Sequence, residues 1–177
     1  MAVNLLKRYN DFLELIHLNE AQRTISLRAV FDRDIANNTA FLFREKVIRP
    51  LKKEGQIDVD TLFGHLTKKT EEMIDEAGNK VKSRNVFDLD RSKRLHWIWH
   101  HIQEQEPNLQ VFSYLERKGG KDVIHTYIFD SNENYVIVLE PQRSKQDYYL
   151  LSAYYLNEDW AKTNMKKKWK RRLQELY

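Results

Sequence analysis

Hydrophobic residues in the first hundred positions recur at intervals of three and four, which is the spacing of side chains on one face of an α-helix. The apolar residues from Leu5 to Ile16 follow this spacing and predict a first amphipathic helix. A second helix is predicted after Asn19, whose side chain suits a helix N-terminus, and it carries the apolar residues from Ile25 to Ile35. Both helices are expected to be packing elements.

Two more helices are predicted before the pattern changes. The third carries apolar residues from Leu62 to Ile74 and ends at Gly78, a residue type that commonly terminates helices. The stretch AFLFREKVIRPLKKEGQ before it is irregular, and NKVKSRNVF after it is expected to be a connection. The fourth helix lies in LDRSKRLHWIWHHIQEQ, with Asp88 or Asp90 as its cap.

The hydrophobic period changes to strict alternation after Pro107. Four runs are rich in β-branched and aromatic residues: QVFSYLER, DVIHTYIFD, NYVIVLEP and DYYLLSAYYL. Their short connections suit antiparallel neighbours, so they predict a four-stranded antiparallel β-meander. A last, basic helix is expected from Asn157. The predicted fold class is α+β, with a helical N-terminal portion in residues 1–80 and an α+β domain in residues 85–177.

Tyrosines are concentrated in the predicted fourth strand, where YYLLSAYYL holds four of the nine in the chain. Strict alternation would place Ser152 and Tyr154 on one side of that strand and Tyr149 on the other. Aromatic residues at strand spacing are usually core residues. However, a sheet that is apolar on both faces needs cover on both, or cover on one and a cleft on the other. His125 is the only group in the predicted sheet that titrates near neutral pH.

Composition narrows the class of protein. The chain of 177 residues has no cysteine, and no apolar run reaches the roughly 20 residues of a membrane span. We therefore expect a cytoplasmic protein without membrane association. The formal net charge is +4, and the residues from Asn157 onwards account for all of it, with seven Lys and Arg against three Asp and Glu. This local excess predicts attraction to a polyanion, with nucleic acid as the first candidate.

Metal and cofactor motifs are missing from the sequence. His96 and His100 have the i, i+4 spacing of two metal ligands on a helix, but no HExxH glutamate lies between them and no third ligand is indicated. The five glycines form no phosphate loop, no dinucleotide-binding motif and no nucleophile elbow. The sequence predicts neither a metal nor a cofactor.

The order of the predicted elements and several strings resemble a known group of nucleases. A helix containing RSKRLHWI, followed by a four-stranded sheet ending in YVIVLEPQRSKQDYYLLSAYYL, is similar to the phage-associated branch of the barnase, EndoU, colicin E5/D and RelE-like (BECR) nucleases. FREKVIRPLK and DTLFGHLT are also similar to that branch, so the resemblance covers about residues 31–157. It implies a small metal-independent endoribonuclease, a toxin or effector of a phage, prophage or other mobile element, whose site lies on the exposed sheet face beside the preceding helix.

The resemblance also implies which residues form the site. The strand-borne hydroxyl falls on Ser152, where threonine is more usual, and a basic residue falls on Arg143. The helical basic residue falls on Arg94, with His96 as the alternative. His125 supplies the histidine of the set.

These residue types suit cleavage of RNA through the ribose 2′-hydroxyl. A base must take the 2′ proton, a cation must meet the charge on the phosphoryl oxygens, and an acid must protonate the leaving 5′ oxygen. His125 would be the base or the acid. Arg143 and Arg94 would be phosphate clamps, and Ser152 or Tyr149 would donate from a hydroxyl.

The last helix is predicted to bind nucleic acid through Lys166, Lys167, Lys170 and Arg171. RNA is the expected partner, and a neutralising protein is a second one. Two other functions would use the same features. One is a non-catalytic RNA- or DNA-binding module in which bases stack on the tyrosines. The other is a protein-interaction domain that works through the N-terminal helices.

Overall fold

A computed structural model of the chain describes residues 2–50, 52–53, 56–142 and 146–177. A π-helical turn, Asp32–Ala36, continues the second helix. The helices are α1 (Ala2–Leu6), α2 (Glu20–Phe31), α3 (Val59–Thr67), α4 (Leu89–Ser92), α5 (Trp97–Ile102) and α6 (Asp159–Lys170). The strands are β1 (Leu42–Phe43), β2 (Lys46–Pro50), β3 (Lys52–Lys53), β4 (Gln56–Ile57), β5 (Lys68–Ile74), β6 (Lys80–Phe87), β7 (Leu109–Lys118), β8 (Lys121–Asp130), β9 (Tyr135–Pro141) and β10 (Asp147–Tyr155).

Six of the strands form one mixed sheet in the order β1-β2-β10-β9-β8-β7. Strands β7 to β10 pair antiparallel with their neighbours in chain order. The prediction of a sheet with four antiparallel strands is incomplete, because β2 pairs in parallel with β10 and β1 follows at the edge. The predicted α+β class is confirmed.

The first predicted helix is wrong over most of its length, because α1 ends at Leu6. In the irregular segment that follows, Leu13 and Leu15 are buried whereas Ile16 is 76% exposed, so the three-and-four spacing does not match a buried face. The segment instead docks through its backbone, since the Leu13 N–H donates to the Lys93 carbonyl at 2.9 Å. Tertiary contacts override the local helical pattern here.

The second, fourth and last predicted helices do form. Asn19 caps α2 and accepts a hydrogen bond from the Gln22 amide at 2.9 Å. Asp88 caps α4 in the same way, accepting from the Arg91 amide at 3.0 Å. The fourth predicted helix is, however, divided into the two short helices α4 and α5. The basic helix α6 begins two residues after the predicted start.

The third predicted helix is wrong beyond Thr67, where α3 ends and the antiparallel hairpin β5-β6 begins. The stretch expected to be a connection is strand β6. Gly78 has a φ of +83° in the hairpin turn, so it provides a left-handed turn rather than a helix end. Met73 and Ile74 are 55% and 73% exposed, so no buried face holds them in a helix.

A β-bulge interrupts β10. Leu150 and Ser152 lie opposite consecutive residues of β9, so Leu151 is the extra residue. Alternation resumes after the bulge with the opposite phase. Tyr149 therefore shares a face of the sheet with Ser152 and Tyr154, and the prediction that separated them is wrong.

The sheet lies between two layers. Helices α2, α3 and α5 contribute to the main hydrophobic core on one face, which includes Phe31, Trp97 and Ile128. Helix α6 packs on the other face, where the Trp169 ring meets Phe112 edge-on with centroids 5.3 Å apart. Both predicted portions of the chain contribute to the main core, and the division between them stays a prediction. Over the described ranges, no helix has the length and apolar character to cross a membrane.

Candidate functional site

His125 lies in a buried ionic cluster rather than in an open site. Its side chain is 2% exposed, and its Nδ1 and Nε2 lie 3.4 Å from Glu116 Oε2 and 3.8 Å from Glu140 Oε2. Glu116 also accepts hydrogen bonds from Lys168 of α6 and from the Tyr127 hydroxyl. The histidine therefore helps to join α6 to the sheet, and RNA has no access to it in this structure.

Glu116 is the central anion of this cluster. Its contact with His125, together with hydrogen bonds from Lys168 and Tyr127, lowers the pKa of Glu116 below its ordinary value of 4.5, although burial acts in the opposite direction. Because the folded pKa is depressed, the carboxylate stabilises the fold fully above pH 4.5. That stabilisation declines as the pH falls through the folded pKa.

Replacing Glu116 by glutamine is expected to lower the free energy of unfolding by about 3 kcal/mol at neutral pH, because the half-buried Lys168 ammonium loses its counter-charge. The difference from the wild type should shrink as the pH falls below 4.5. Urea unfolding at neutral and acidic pH measures both effects. Glu175→Gln, the same change at an exposed position, is the matched control. Wild-type stability of Glu116→Gln at neutral pH would contradict the structural role of the cluster.

Arg94 packs on Tyr155, whose side chain lies on the opposite face of β10 from Ser152. The Arg94 guanidinium packs 4.1 Å from the centroid of the Tyr155 ring and donates to the Asp90 carbonyl at 2.8 Å. His96 is buried, and burial lowers its pKa to about 4. The structure therefore does not bring Arg94 or His96, the basic residues predicted on the helix, into contact with the hydroxyl of Ser152.

Arg91, three residues before Arg94, does reach Ser152. Its Nη1 donates to Ser152 Oγ at 3.2 Å, and its guanidinium lies 5.5 Å from the centroid of the Tyr154 ring. The same Nη1 donates to the backbone carbonyl of His65. Because only 15% of the Arg91 side chain is exposed, packing fixes the guanidinium beside the bulge.

The imidazole of His65 faces the bulge from α3. Its ring donates a hydrogen bond to the backbone carbonyl of Leu151, the extra residue of β10, which leaves the other ring nitrogen as an acceptor. Burial lowers the pKa of His65 below its ordinary value of 6.5, and the charges of Arg84 and Arg91 lower it further. The ring is therefore neutral at neutral pH and able to accept a proton.

Three basic side chains converge with a hydroxyl at this place, and we call His65, Arg84, Arg91 and Ser152 the bulge site. Arg84 is exposed on β6 and donates to Thr70 Oγ1 at 3.1 Å. Burial lowers the pKa of Arg91, and the nearby charge of Arg84 adds to this effect. An open cleft of about 420 Å³ lies over His65 and Arg84. Asp58, Asp60 and Lys68 also line this cleft, so it carries charges of both signs. The guanidinium groups of Arg84, in its lining, and of Arg91, beside His65, are the groups that suit an anion such as a phosphate.

The remaining predicted residues have different outcomes. Arg143 lies outside the described residues, so its role stays a prediction. Tyr149 is half-buried, opposite Glu140, on the same face as Ser152. The four residues predicted to contact nucleic acid are Lys166, Lys167, Lys170 and Arg171. All four are exposed on or just after α6, and none of them forms an ion pair with a described carboxylate.

The three histidines near α5 have separate partners. His96 Nε2 lies 3.3 Å from the carbonyl oxygen of a residue in the N-terminal segment, and His100 Nε2 lies 2.6 Å from Glu106 Oε1. His101 Nε2 lies 3.0 Å from the buried carboxylate of Asp130. Within the part of the chain that the structure describes, no group of three or more His, Cys, Asp or Glu is placed to hold a metal ion.

Sequence reasoning missed three members of the bulge site. His65 lies in DTLFGHLT and Arg91 directly begins RSKRLHWI, so the strings that carry the resemblance contained both without singling out either. Arg84 fell in the stretch that was expected to be a connection. A basic residue near Ser152 was expected, but choosing Arg91 over Arg94 requires the position of α4 beside β10.

Comparison with protein-family models, with curated proteins and with solved structures gives no match for this chain. The geometry of the bulge site is therefore the principal basis for assigning a function.

Proposed function

We propose that the protein is a metal-independent endoribonuclease and that the bulge site is its active site. The observation that carries the proposal is the hydrogen bond from Arg91 to Ser152 beside a neutral, half-buried His65. His65 and Arg84 line the cleft, and Arg91 joins Ser152 to them because its Nη1 donates both to the His65 carbonyl and to Ser152 Oγ. A base, two cations and a hydroxyl are the groups that transfer of a phosphoryl group to the 2′-hydroxyl requires.

Each side chain has a role that follows from its environment. The free ring nitrogen of His65 takes the proton of the ribose 2′-hydroxyl as the 2′ oxygen bonds to phosphorus. Arg91 and Arg84 meet the negative charge that grows on the phosphoryl oxygens, and the bond from phosphorus to the 5′ oxygen breaks. Ser152, polarised by the guanidinium that donates to it, donates a hydrogen bond to the leaving 5′ oxygen. Water gives that oxygen its proton, and His65 afterwards releases to water the proton that it took from the 2′-hydroxyl. The products are a 2′,3′-cyclic phosphate and a 5′-hydroxyl.

The resemblance of several sequence segments to the phage-associated BECR nucleases supports the same reaction and suggests a biological role. A toxin or effector of a phage or other mobile element must act on cellular RNA and must be restrained in the cell that makes it. We therefore include cellular RNA as the substrate class and a neutralising protein as a partner in the proposal. Expression of the chain in a host cell, followed by a measurement of RNA integrity, tests whether cellular RNA is the substrate. Selection for host or phage genes that suppress its toxicity tests for a neutralising protein.

The reaction itself is tested with purified protein and total RNA in the presence of EDTA. The proposal predicts fragments that end in a cyclic phosphate and begin with a 5′-hydroxyl. Intact RNA after prolonged incubation with folded protein would count against the proposal. Gel-shift binding without cleavage would favour the non-catalytic RNA-binding module instead.

Changing Lys166, Lys167, Lys170 and Arg171 together to glutamine is expected to weaken RNA binding without lowering kcat. Each phosphate contact on a single strand adds about 0.7 to the slope of log affinity against log salt, so the slope should fall by up to about 3. Fluorescence anisotropy across a salt series measures this change. The matched control changes the three lysines to arginine, which keeps the charges. A collapse of turnover at saturating RNA in the glutamine variant would contradict a role confined to affinity.

A further inference from the structure

A second cavity lies on the other side of α3 from His65. Its volume is about 370 Å³, and it is enclosed by α2, α3 and the base of the β5-β6 hairpin. The residues that matter for its chemistry are Arg23, Phe63, Gly64, Asn85 and Phe87. Phe63 and Phe87 give it aromatic walls, and Arg23 and Asn85 give it polar groups.

This cavity adjoins the cleft over His65 and Arg84. Asp60, Gly64 and Lys68 line both spaces. Gly64 is the residue of α3 directly before His65, and a Cβ built at Gly64 meets no heavy atom within 4 Å. Because Gly64 has no side chain, nothing projects from this position into the space where the cleft and the cavity adjoin. A ligand with its phosphate near Arg91 and Arg84 can extend past Gly64 into the second cavity.

Arg23 gives one wall of the cavity a guanidinium group. The buried Nε of Arg23 has no hydrogen-bond partner among the described residues. The Arg23 guanidinium itself is held 4.4 Å from the centroid of the Phe87 ring. Because Arg23 lines the cavity, the terminal amino groups of its guanidinium are the donors available to an acceptor on a bound ligand.

The charged side chains that line the cavity indicate whether it suits a second phosphate of the ligand or a neutral group. Two cations, Arg23 and Lys68, are accompanied by the carboxylates of Glu20 and Asp60. Asp60 is held by Arg28, with Oδ1 2.5 Å from Nη1. Charges of both signs around aromatic walls suit a planar, neutral group that carries both donors and acceptors. A nucleobase of single-stranded RNA has these properties.

We infer that the cavity lined by Arg23, Phe63, Asn85 and Phe87 binds one unpaired nucleobase of the substrate, next to the phosphate held at the bulge site. The inference rests on the proposed function for the identity of the substrate. The base packs against the aromatic walls, and its acceptor atoms face Arg23 and Asn85. Gly64 is the opening through which the ribose joins the two sites. The cavity thus selects the nucleotide beside the cleaved bond.

Binding of small ligands tests the inference without requiring cleavage. Isothermal titration or NMR compares nucleoside 5′-monophosphates with ribose 5-phosphate, which differs from them in having a hydroxyl instead of the base. Contact with one base is worth roughly 5- to 150-fold in affinity when it stacks on aromatic side chains. We expect at least one of the four nucleotides to bind the wild type more tightly than ribose 5-phosphate by a factor in that range.

The discriminating variant is Gly64→Leu, with Gly64→Ala as its matched control. Leucine fills the space where the cleft and the cavity adjoin, and both residues favour the helix more than glycine does, so folding is retained and the melting temperature should not fall. Gly64→Leu should bind nucleotides no better than ribose 5-phosphate, whereas Gly64→Ala should keep most of the preference. Equal binding of all five ligands to the wild type would overturn the inference, as would an unchanged preference in Gly64→Leu. Nucleotide preference together with intact RNA would overturn the nuclease proposal and leave the base pocket standing.

Discussion

The variant His65→Gln is expected to cleave RNA about 10²- to 10⁴-fold more slowly than the wild type while remaining folded. Glutamine retains an N–H that can reach the Leu151 carbonyl, to which the imidazole donates, but its amide is not a base at neutral pH. The loss should appear in kcat, measured with a labelled single-stranded RNA at saturating concentration. His17→Gln, the same change at an exposed histidine, is the matched control and should be fully active.

The pH profile provides an independent readout of the same role. A base must be neutral, so kcat/KM of the wild type should rise with pH through a pKa below 6.5 and be flat at neutral pH. Arg84→Gln removes a positive charge that disfavours the imidazolium, so the pKa of His65 should rise and the midpoint should move to higher pH. A midpoint that stays in place or moves to lower pH in Arg84→Gln would contradict the assignment of His65.

Arg91→Ala is expected to reduce kcat by about 10²- to 10³-fold, the usual effect of removing one group that stabilises developing charge. Arg91→Lys should recover only part of this, because an ammonium cannot reproduce the geometry of a guanidinium that donates to both Ser152 and the His65 carbonyl. Ser152→Ala should cost less than Arg91→Ala, since the guanidinium charge remains. The measurement is single-turnover cleavage at a temperature where each variant is folded.

Arg94→Ala is the matched control for Arg91→Ala, because both arginines are largely buried in the same segment but only Arg91 contacts Ser152. Arg94→Ala should lower the melting temperature, since Arg94 packs on Tyr155 and Trp97, but should leave kcat unchanged. A folded Arg91→Ala with wild-type kcat would remove Arg91 from the active site. A large fall in kcat for a folded Arg94→Ala would instead support Arg94, the residue predicted from the sequence, as the phosphate clamp.

Strands β7 to β10 could be predicted from sequence because their pattern is local. Alternation of β-branched and aromatic residues, with short connections, specifies neighbours that are adjacent in the chain. The parallel pairing of β10 with β2 joins residues about a hundred positions apart, and nothing in KVIRP alone indicates it. The hairpin β5-β6 was missed for a related reason. Met73 and Ile74 happen to continue a helical spacing, although they are exposed on a strand.

The candidate site was partly predictable, and the errors have identifiable physical causes. Ser152 belongs both to the site predicted from sequence and to the site now proposed, but the bulge at Leu151 changes which tyrosines accompany it. His125 is a candidate in the sequence because a histidine within a strand is unusual, whereas in the structure it is buried beside Glu116, which pairs with Lys168 from a helix more than forty residues away in the chain. Arg91 and Arg94 are both arginines of the segment RSKRLHWI, and the sequence alone does not show which of them lies near Ser152. Only the packing of α4 against β10 separates them.

The most direct test of the proposed mechanism is to remove the 2′ oxygen of one ribose of the substrate and to measure cleavage at that position. A single-stranded RNA with one mapped cleavage position is compared with the same oligonucleotide carrying a 2′-deoxyribose at the nucleotide whose 2′-hydroxyl would attack. If His65 activates that hydroxyl, the wild type in EDTA should cleave the first substrate to a cyclic phosphate and leave the substituted linkage intact. Cleavage of the 2′-deoxy linkage at an undiminished rate would contradict the mechanism assigned to His65, Arg91 and Ser152.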